Sequence, residues 1–188
     1  MEIGGSLFSG IMLGHCAKLQ KMIADEKQDQ WSIIFYDERG QDIGYAIINY
    51  STTCITLRQM HLDYKYRGNK YGKKFIDKCL KLVPTVKLLA FTGSGTQGEQ
   101  YGAYVWAKYG FHYIDDAERL KLHGKFKEWL SSKESLKKID LAKFIIRIDS
   151  WSYPCQLATS MIEDIEVGKL FLIDLCEAPS WSGILHRV

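Results

Sequence analysis

The pattern of apolar and polar positions changes period several times along the chain. WSIIFYD at 31–37 is a run of β-formers closed by the polar ERGQ, and DIGYAIINY at 42–50 follows as its partner, so the two read as a hairpin. After Ser51, Thr52 and Thr53 comes a third strand, CITLRQMHLD. Simple alternation sends Ile55, Leu57, Gln59 and His61 to one face and Cys54, Thr56, Arg58, Met60 and Leu62 to the other. Neither face is cleanly apolar, which places one of them beside a cleft. From Gly68 the spacing becomes helical: Tyr71, Phe75, Ile76, Cys79, Leu80, Leu82 and Val83 share a side, opposite Lys73, Lys74, Asp77, Lys78 and Lys81, and Pro84 ends the helix. TVKLLAFTG then reads as a short strand running into the glycine-rich GSGTQG, EQYGAYVWAKYGF as a helix closed by Gly110, and FHYIDD as a final strand. A helix ending near Ala24 precedes them all.

Beyond Asp116 the pattern is mainly helical: AERLKLHGKFKEWLSS, SLKKIDLAKFIIRID and CQLATSMIEDIE, then VGKLFLIDLC and a tail containing Trp and Gly. The expected organisation is therefore a core over residues 1–116 and a mainly helical extension over 117–188, in an α/β chain.

Composition narrows the function classes. The 188 residues are 46% hydrophobic and 25% charged, as in an ordinary globular protein. With 25 Lys+Arg against 22 Asp+Glu, the net charge of +3 argues against nucleic acid as the principal partner, although charge grouped locally still acts as a field. Cys16, Cys54, Cys79, Cys155 and Cys176 lie far apart without zinc spacing, which favours reduced, buried thiols, a cytoplasmic setting and no metal. No apolar run is long enough to cross a membrane, and Glu2 with no basic stretch before Leu7–Leu13 argues against a signal peptide.

Charge is grouped at YKYRGNKYGKK, residues 64–74, which carries Lys65, Arg67, Lys70, Lys73 and Lys74 around Gly68 and Gly72 where a strand gives way to a helix. The first amides of a helix have no intrahelical acceptor, and the macrodipole places about half a positive charge there. Glycines let a ligand approach the backbone closely. Either a pyrophosphate sits at this junction, or it is a basic surface turn. GSGTQG lacks the Lys-Ser/Thr ending of a P-loop and is the weaker phosphate candidate. RLKLHGKFKEW mixes cations with aromatic residues, as a nucleic-acid surface or a solvated amphipathic helix would.

LDYKYRGNKYGKKFIDKCLK resembles the signature of the GNAT acetyltransferase superfamily, in which a strand ends in V-x-P-x-Y-R-G and a Q/R-x-x-G-x-G/A loop opens the next helix. GAYVWAKYGFHYID is similar to that superfamily's later helix, with its Gly-Phe ending before a strand. The resemblance covers roughly residues 30–116, and the Trp106 variant of the second phrase resembles GNAT-like domains of phage and polymorphic-toxin proteins. It implies a mixed, mostly antiparallel sheet with two splayed strands holding acetyl-CoA. Met60, His61 and Leu62 would pair with pantetheine, and the amides of Arg67, Gly68, Asn69, Lys70, Tyr71, Gly72 and Lys73 would hold the pyrophosphate. The implied activity is acetyl transfer from acetyl-CoA to a primary amine of a small molecule or a protein, by direct attack.

The sequence departs from that pattern at Lys70, where the first loop glycine is usual, at Leu62 and Tyr64 for Val and Pro, and at Trp106, where the family has a tyrosine that protonates the thiolate. Tyr101, Tyr104 and Tyr109 share the helix, but Tyr104 and Tyr109 stand about 200° and 300° round it from Trp106. Tyr104 is the candidate acid. His61, on the central strand, is the candidate base, histidine being the residue type that exchanges a proton near neutral pH. A non-catalytic GNAT-like binding or scaffold module is the alternative function.

Overall fold

The computed structural model of the chain describes residues 17–21, 30–37, 39–91, 102–136, 141–174 and 180–187. They form two compact units: the described residues of Met1–Leu88 with His186–Val188, and those of Leu89–Leu185.

The first unit is built on β1 (Ala17–Lys21), β2 (Gln30–Tyr36), β3 (Asp42–Tyr50) and β4 (Cys54–Leu62), each antiparallel to the next. The start of β5 (Thr85–Phe91) lies parallel to β4, and α1 (Tyr71–Leu82) connects those two strands. The sheet is thus mixed and mostly antiparallel, as expected. Ile33 and Phe35 of β2 are fully buried, and Phe35 meets Phe75 of α1 edge to face at 5.6 Å. Phe75, Ile76 and Cys79 form the buried stripe of that helix, and burial pushes the Cys79 thiol up to about 12. The helix ends at Leu82, where the Val83 amide donates to the Cys79 carbonyl before Pro84.

Two sequence expectations are corrected in this unit. The helix expected to end near Ala24 is a strand over its described part: Ala17 to Lys21 pair with Phe35 to Trp31, because an open edge of β2 offers those backbone groups partners that an isolated short helix lacks. Simple alternation in β4 also fails. Ile48 faces Leu57 while Ile47 faces Gln59, so Arg58 is an extra residue in a β-bulge. The bulge puts Leu57, Met60 and Leu62 on the face of Ile48, Ala46 and Gly44, and puts Gln59 and His61 with Ile47 and Tyr45 on the other.

The second unit contains α2 (Gly102–Ala107), β6 (His112–Tyr113), α3 (Asp116–Ser132), α4 (Ala142–Ile148), α5 (Pro154–Ala158), α6 (Val167–Ile173) and most of β7 (Ser180–His186), which pairs antiparallel with β6. Gly110, at φ +90°, closes the turn after α2 as expected. The tail containing Trp181 and Gly183 is a strand, so FHYIDD supplies a two-residue strand and not the last one.

The Asp115 carboxylate caps α3 through the Glu118 amide at 2.8 Å. Phe126 of that helix is fully buried, with Phe171 at 5.0 Å and Trp129, Phe144 and Trp151 at 6.1–6.3 Å between ring centres. The boundary expected between residues 116 and 117 falls inside this unit. Glu118 accepts from the Ser182 amide at 3.1 Å, and Tyr113 meets His123 at 3.2 Å, so residues on either side of 116 share one core.

Candidate active site

The β4–α1 junction begins at the bulge. In an antiparallel strand the N–H and C=O of one residue point the same way and those of its neighbours point the other way. The Asp63 amide donates to the Ile43 carbonyl at 3.0 Å, so the backbone groups of His61 also face β3 and those of Met60 and Leu62 face away from it. A Cβ on Gly44, whose φ is +145°, would run into the His61 carbonyl, which fixes the same orientation and explains the glycine. Among the described residues the parallel ladder with β5 has its last pair at Leu57↔Leu88. Beyond it, Met60 presents a donor and an acceptor on the side away from β3. The Leu62 carbonyl is held by the Arg67 Nε at 2.8 Å.

A single 3-10 turn, Tyr64–Tyr66, carries the chain out of the strand. The Tyr66 hydroxyl donates to Asp37 at 3.0 Å, and the other oxygen of that carboxylate accepts from the Arg39 and Gln41 amides at 2.9 Å. These bonds, led by the Gln41 amide, hold the Asp37 carboxyl below its ordinary range. The β2–β3 turn therefore braces the basic loop. Gly68 at φ +80° and Lys70 at φ +61°, ψ +18° both occupy the left-handed region. Lys70 is the N-cap of α1, makes no side-chain capping bond, and accepts the Lys74 amide at its carbonyl. Its conformation is the one a glycine adopts freely, which accounts for the usual glycine at this place in the resembled loop.

The cations around the junction differ in their engagements. Lys65 lies over the Tyr66 ring at 4.9 Å, Lys74 over Tyr71 at 5.3 Å and Arg67 over Tyr64 at 6.0 Å, while Lys73 pairs with Asp77 at 3.4 Å. Among the described residues, the Lys70 side chain has neither a ring nor a carboxylate partner. Asn69 donates to the Tyr66 carbonyl at 3.4 Å. Tyr71, Gly72 and Lys73 form the first turn of α1.

His61 is half-buried on the face opposite Met60. It stacks on Tyr45 at 5.7 Å with 26° between planes, and its Nε2 lies 3.9 Å from Asp63. Gln59 donates to the Tyr45 hydroxyl at 2.8 Å. Sequence reasoning did not single out Tyr45, because its place opposite His61 depends on strand register.

Tyr104 belongs to the second unit, on α2, where Lys108 donates to its hydroxyl at 3.3 Å. Trp106, half-buried, packs edge to face on Phe111 at 6.1 Å. GSGTQG and Tyr101 lie outside the described residues. The basic stretch of α3 is largely internally neutralised: Arg119 pairs with Asp116 at 3.0 Å, Lys121 with Glu118 at 3.7 Å and Lys127 with Asp149 at 2.6 Å. Cys54 and Cys155 are half-buried and Cys79 is buried, none of them in a disulfide. Among the described residues there is no group of three or more metal-ligating side chains, and no helix long and apolar enough to cross a membrane.

No family model and no curated protein matches the chain. Solved structures similar to parts of it include a GNAT family acetyltransferase from Elizabethkingia anophelis with acetyl-CoA bound, at 12% identity and a TM-score of 0.38 over 55% of this chain and 80% of that one. Nourseothricin acetyltransferase is similar at 10% identity and a TM-score of 0.36, over 54% and 71%. Ard1 from Thermoplasma volcanium is similar at 20% and 0.34, over 45% and 57%.

Proposed function

We propose that the protein is an acyl-CoA-dependent N-acyltransferase that moves an acetyl group from acetyl-CoA to a primary amine by direct attack. The observation that carries the reading is the β4–α1 junction. An outward-facing strand segment at Met60 leads through a turn with two left-handed residues into a helix start that has no side-chain cap and is surrounded by cations. An extended pantetheine arm would add to the Met60 edge through main-chain hydrogen bonds. The pyrophosphate would then meet the helix start, where the macrodipole and Lys70 favour negative charge.

His61 would take the proton of the attacking amine, and it forms no covalent intermediate in this scheme. Gly72 lies in the first turn of α1, where Gly72→Glu would set bulk and negative charge against the pyrophosphate. Calorimetry is expected to show CoA binding by the wild type and at least about a hundredfold loss in Gly72→Glu, with the circular dichroism spectrum unchanged. Equal affinity in the folded variant would overturn the assignment. Thiol release from acetyl-CoA over a panel of primary amines separates an enzyme from a CoA-binding module.

The engagement of Trp106 with Phe111 favours a second reading, a module that binds CoA without turnover, since that position offers no acid. Wild-type protein that binds CoA and releases no thiol with any amine of the panel would establish it.

A further inference from the structure

We infer that Tyr45 is a positioning residue for His61, holding the imidazole in one orientation on the exposed sheet face so that it can accept the proton of the attacking amine. The inference rests on the acyltransferase reading and names a residue that the reading does not need. Three contacts carry it. Tyr45 and His61 are directly opposite across β3 and β4. Their rings stack at 5.7 Å with a 26° interplanar angle, near the offset parallel arrangement that aromatic pairs favour. The Tyr45 hydroxyl is itself fixed by the Gln59 side chain at 2.8 Å, so the platform under the imidazole is anchored at its far end.

The bulge at Arg58 creates this arrangement. It places Gln59 and His61 together with Tyr45, where an unbroken strand would have placed them with Leu57. Rotation of His61 about χ1 would forfeit the stack. With Nε2 turned toward Asp63 at 3.9 Å, Nδ1 is the nitrogen available to a substrate, and the carboxylate lies where it stabilises the imidazolium that forms. In the step itself the amine nitrogen bonds to the thioester carbonyl carbon and the C–S bond breaks. The amine proton passes to Nδ1, and CoA leaves as a thiolate that is then protonated.

Tyr45→Phe keeps the ring and removes the hydroxyl, whereas Tyr45→Leu removes the platform. Calorimetry with CoA is expected to give the same affinity for both variants as for the wild type. In NMR spectra, the His61 Hε1 resonance is expected upfield in the wild type and Tyr45→Phe, and back at its free-histidine position in Tyr45→Leu. With acetyl-CoA and the amine of the panel that the wild type turns over fastest, Tyr45→Leu is expected to lose at least about tenfold in kcat at unchanged KM for acetyl-CoA. Tyr45→Phe should stay within about threefold of the wild type.

A Tyr45→Leu protein with wild-type kcat, or with an undisplaced His61 resonance, overturns the positioning role while leaving the acyltransferase reading intact. A wild type that neither binds CoA nor turns over any amine overturns the acyltransferase reading, and the positioning role with it.

Discussion

The two compact units differ in where they place polar groups. In the first, a polar pair of strands carries Gln59, His61 and Tyr45 on a half-exposed face, and the loop that follows holds a lysine in a left-handed conformation without side-chain capping. In the second, the interior is a set of interlocking rings around Phe126, and a buried polar group, His123, is held by Tyr113. The first arrangement suits contact with something brought from outside, and the second suits cohesion. Left-handed geometry at a non-glycine residue costs about 1–2 kcal/mol, which the loop retains at the place where a phosphate would be met.

The largest test of this contrast is Phe126→Ala. Removing a fully buried ring packed against four aromatic neighbours is expected to cost about 3–5 kcal/mol in urea unfolding. A loss below about 1 kcal/mol would mean that the rings do not form one close-packed cluster.

Acid provides the next. His123 is 1% exposed, its Nε2 meets the Tyr113 hydroxyl, and among the described residues its Nδ1 has no hydrogen-bond partner. Burial, assisted by the Arg119 charge and then Lys127 and opposed by Asp149, lowers the imidazole from 6.5 to about 4, while burial raises the Tyr113 hydroxyl and keeps it protonated. Between those two values the unfolded chain binds a proton that the folded chain does not. The stabilisation is present above pH 6.5 and is lost as pH falls through 4, by about 3 kcal/mol in all. Urea midpoints followed from pH 7.5 to 4 should show this slope in the wild type and a flatter one in His123→Phe. Identical slopes would exclude His123 as its source.

The smallest effect belongs to the first unit. Lys70→Gly should raise stability by about 1 kcal/mol, because glycine adopts the left-handed region freely. The same change removes one cation and is expected to weaken CoA binding about fivefold, equivalent to about 1 kcal/mol. A variant that gains stability without losing affinity would separate the loop's conformation from its charge.

Much of the first unit is legible from sequence because its signals are local. Alternation marks the β2–β3 hairpin, helical spacing marks α1, and the glycines with clustered cations mark the loop between β4 and α1. The Arg58 bulge is not local. It exists only in the register with β3, and the grouping of Leu57 with His61 fails for that reason. Tyr45 is hidden by the same cause, since a tyrosine in a strand has no distinctive spacing until its partner is known. β7 escapes because Trp181 and Gly183 alternate over too short a stretch, and the glycine reads as a loop signal although it fits beneath the Trp181 ring. The strand at Ala17–Lys21 shows its pattern only when β2 lies beside it.

His186 and Arg187 belong to the first unit, where the His186 ring meets the Thr85 hydroxyl at 3.2 Å and the Arg187 amide donates to the Pro84 carbonyl at 2.8 Å. About a hundred residues separate these partners. During synthesis, residues 186 and 187 therefore have to leave the ribosome before these bonds of the first unit can close. A nascent chain stalled at residue 150 would carry nearly all of the first unit's sequence and still lack its last fastening.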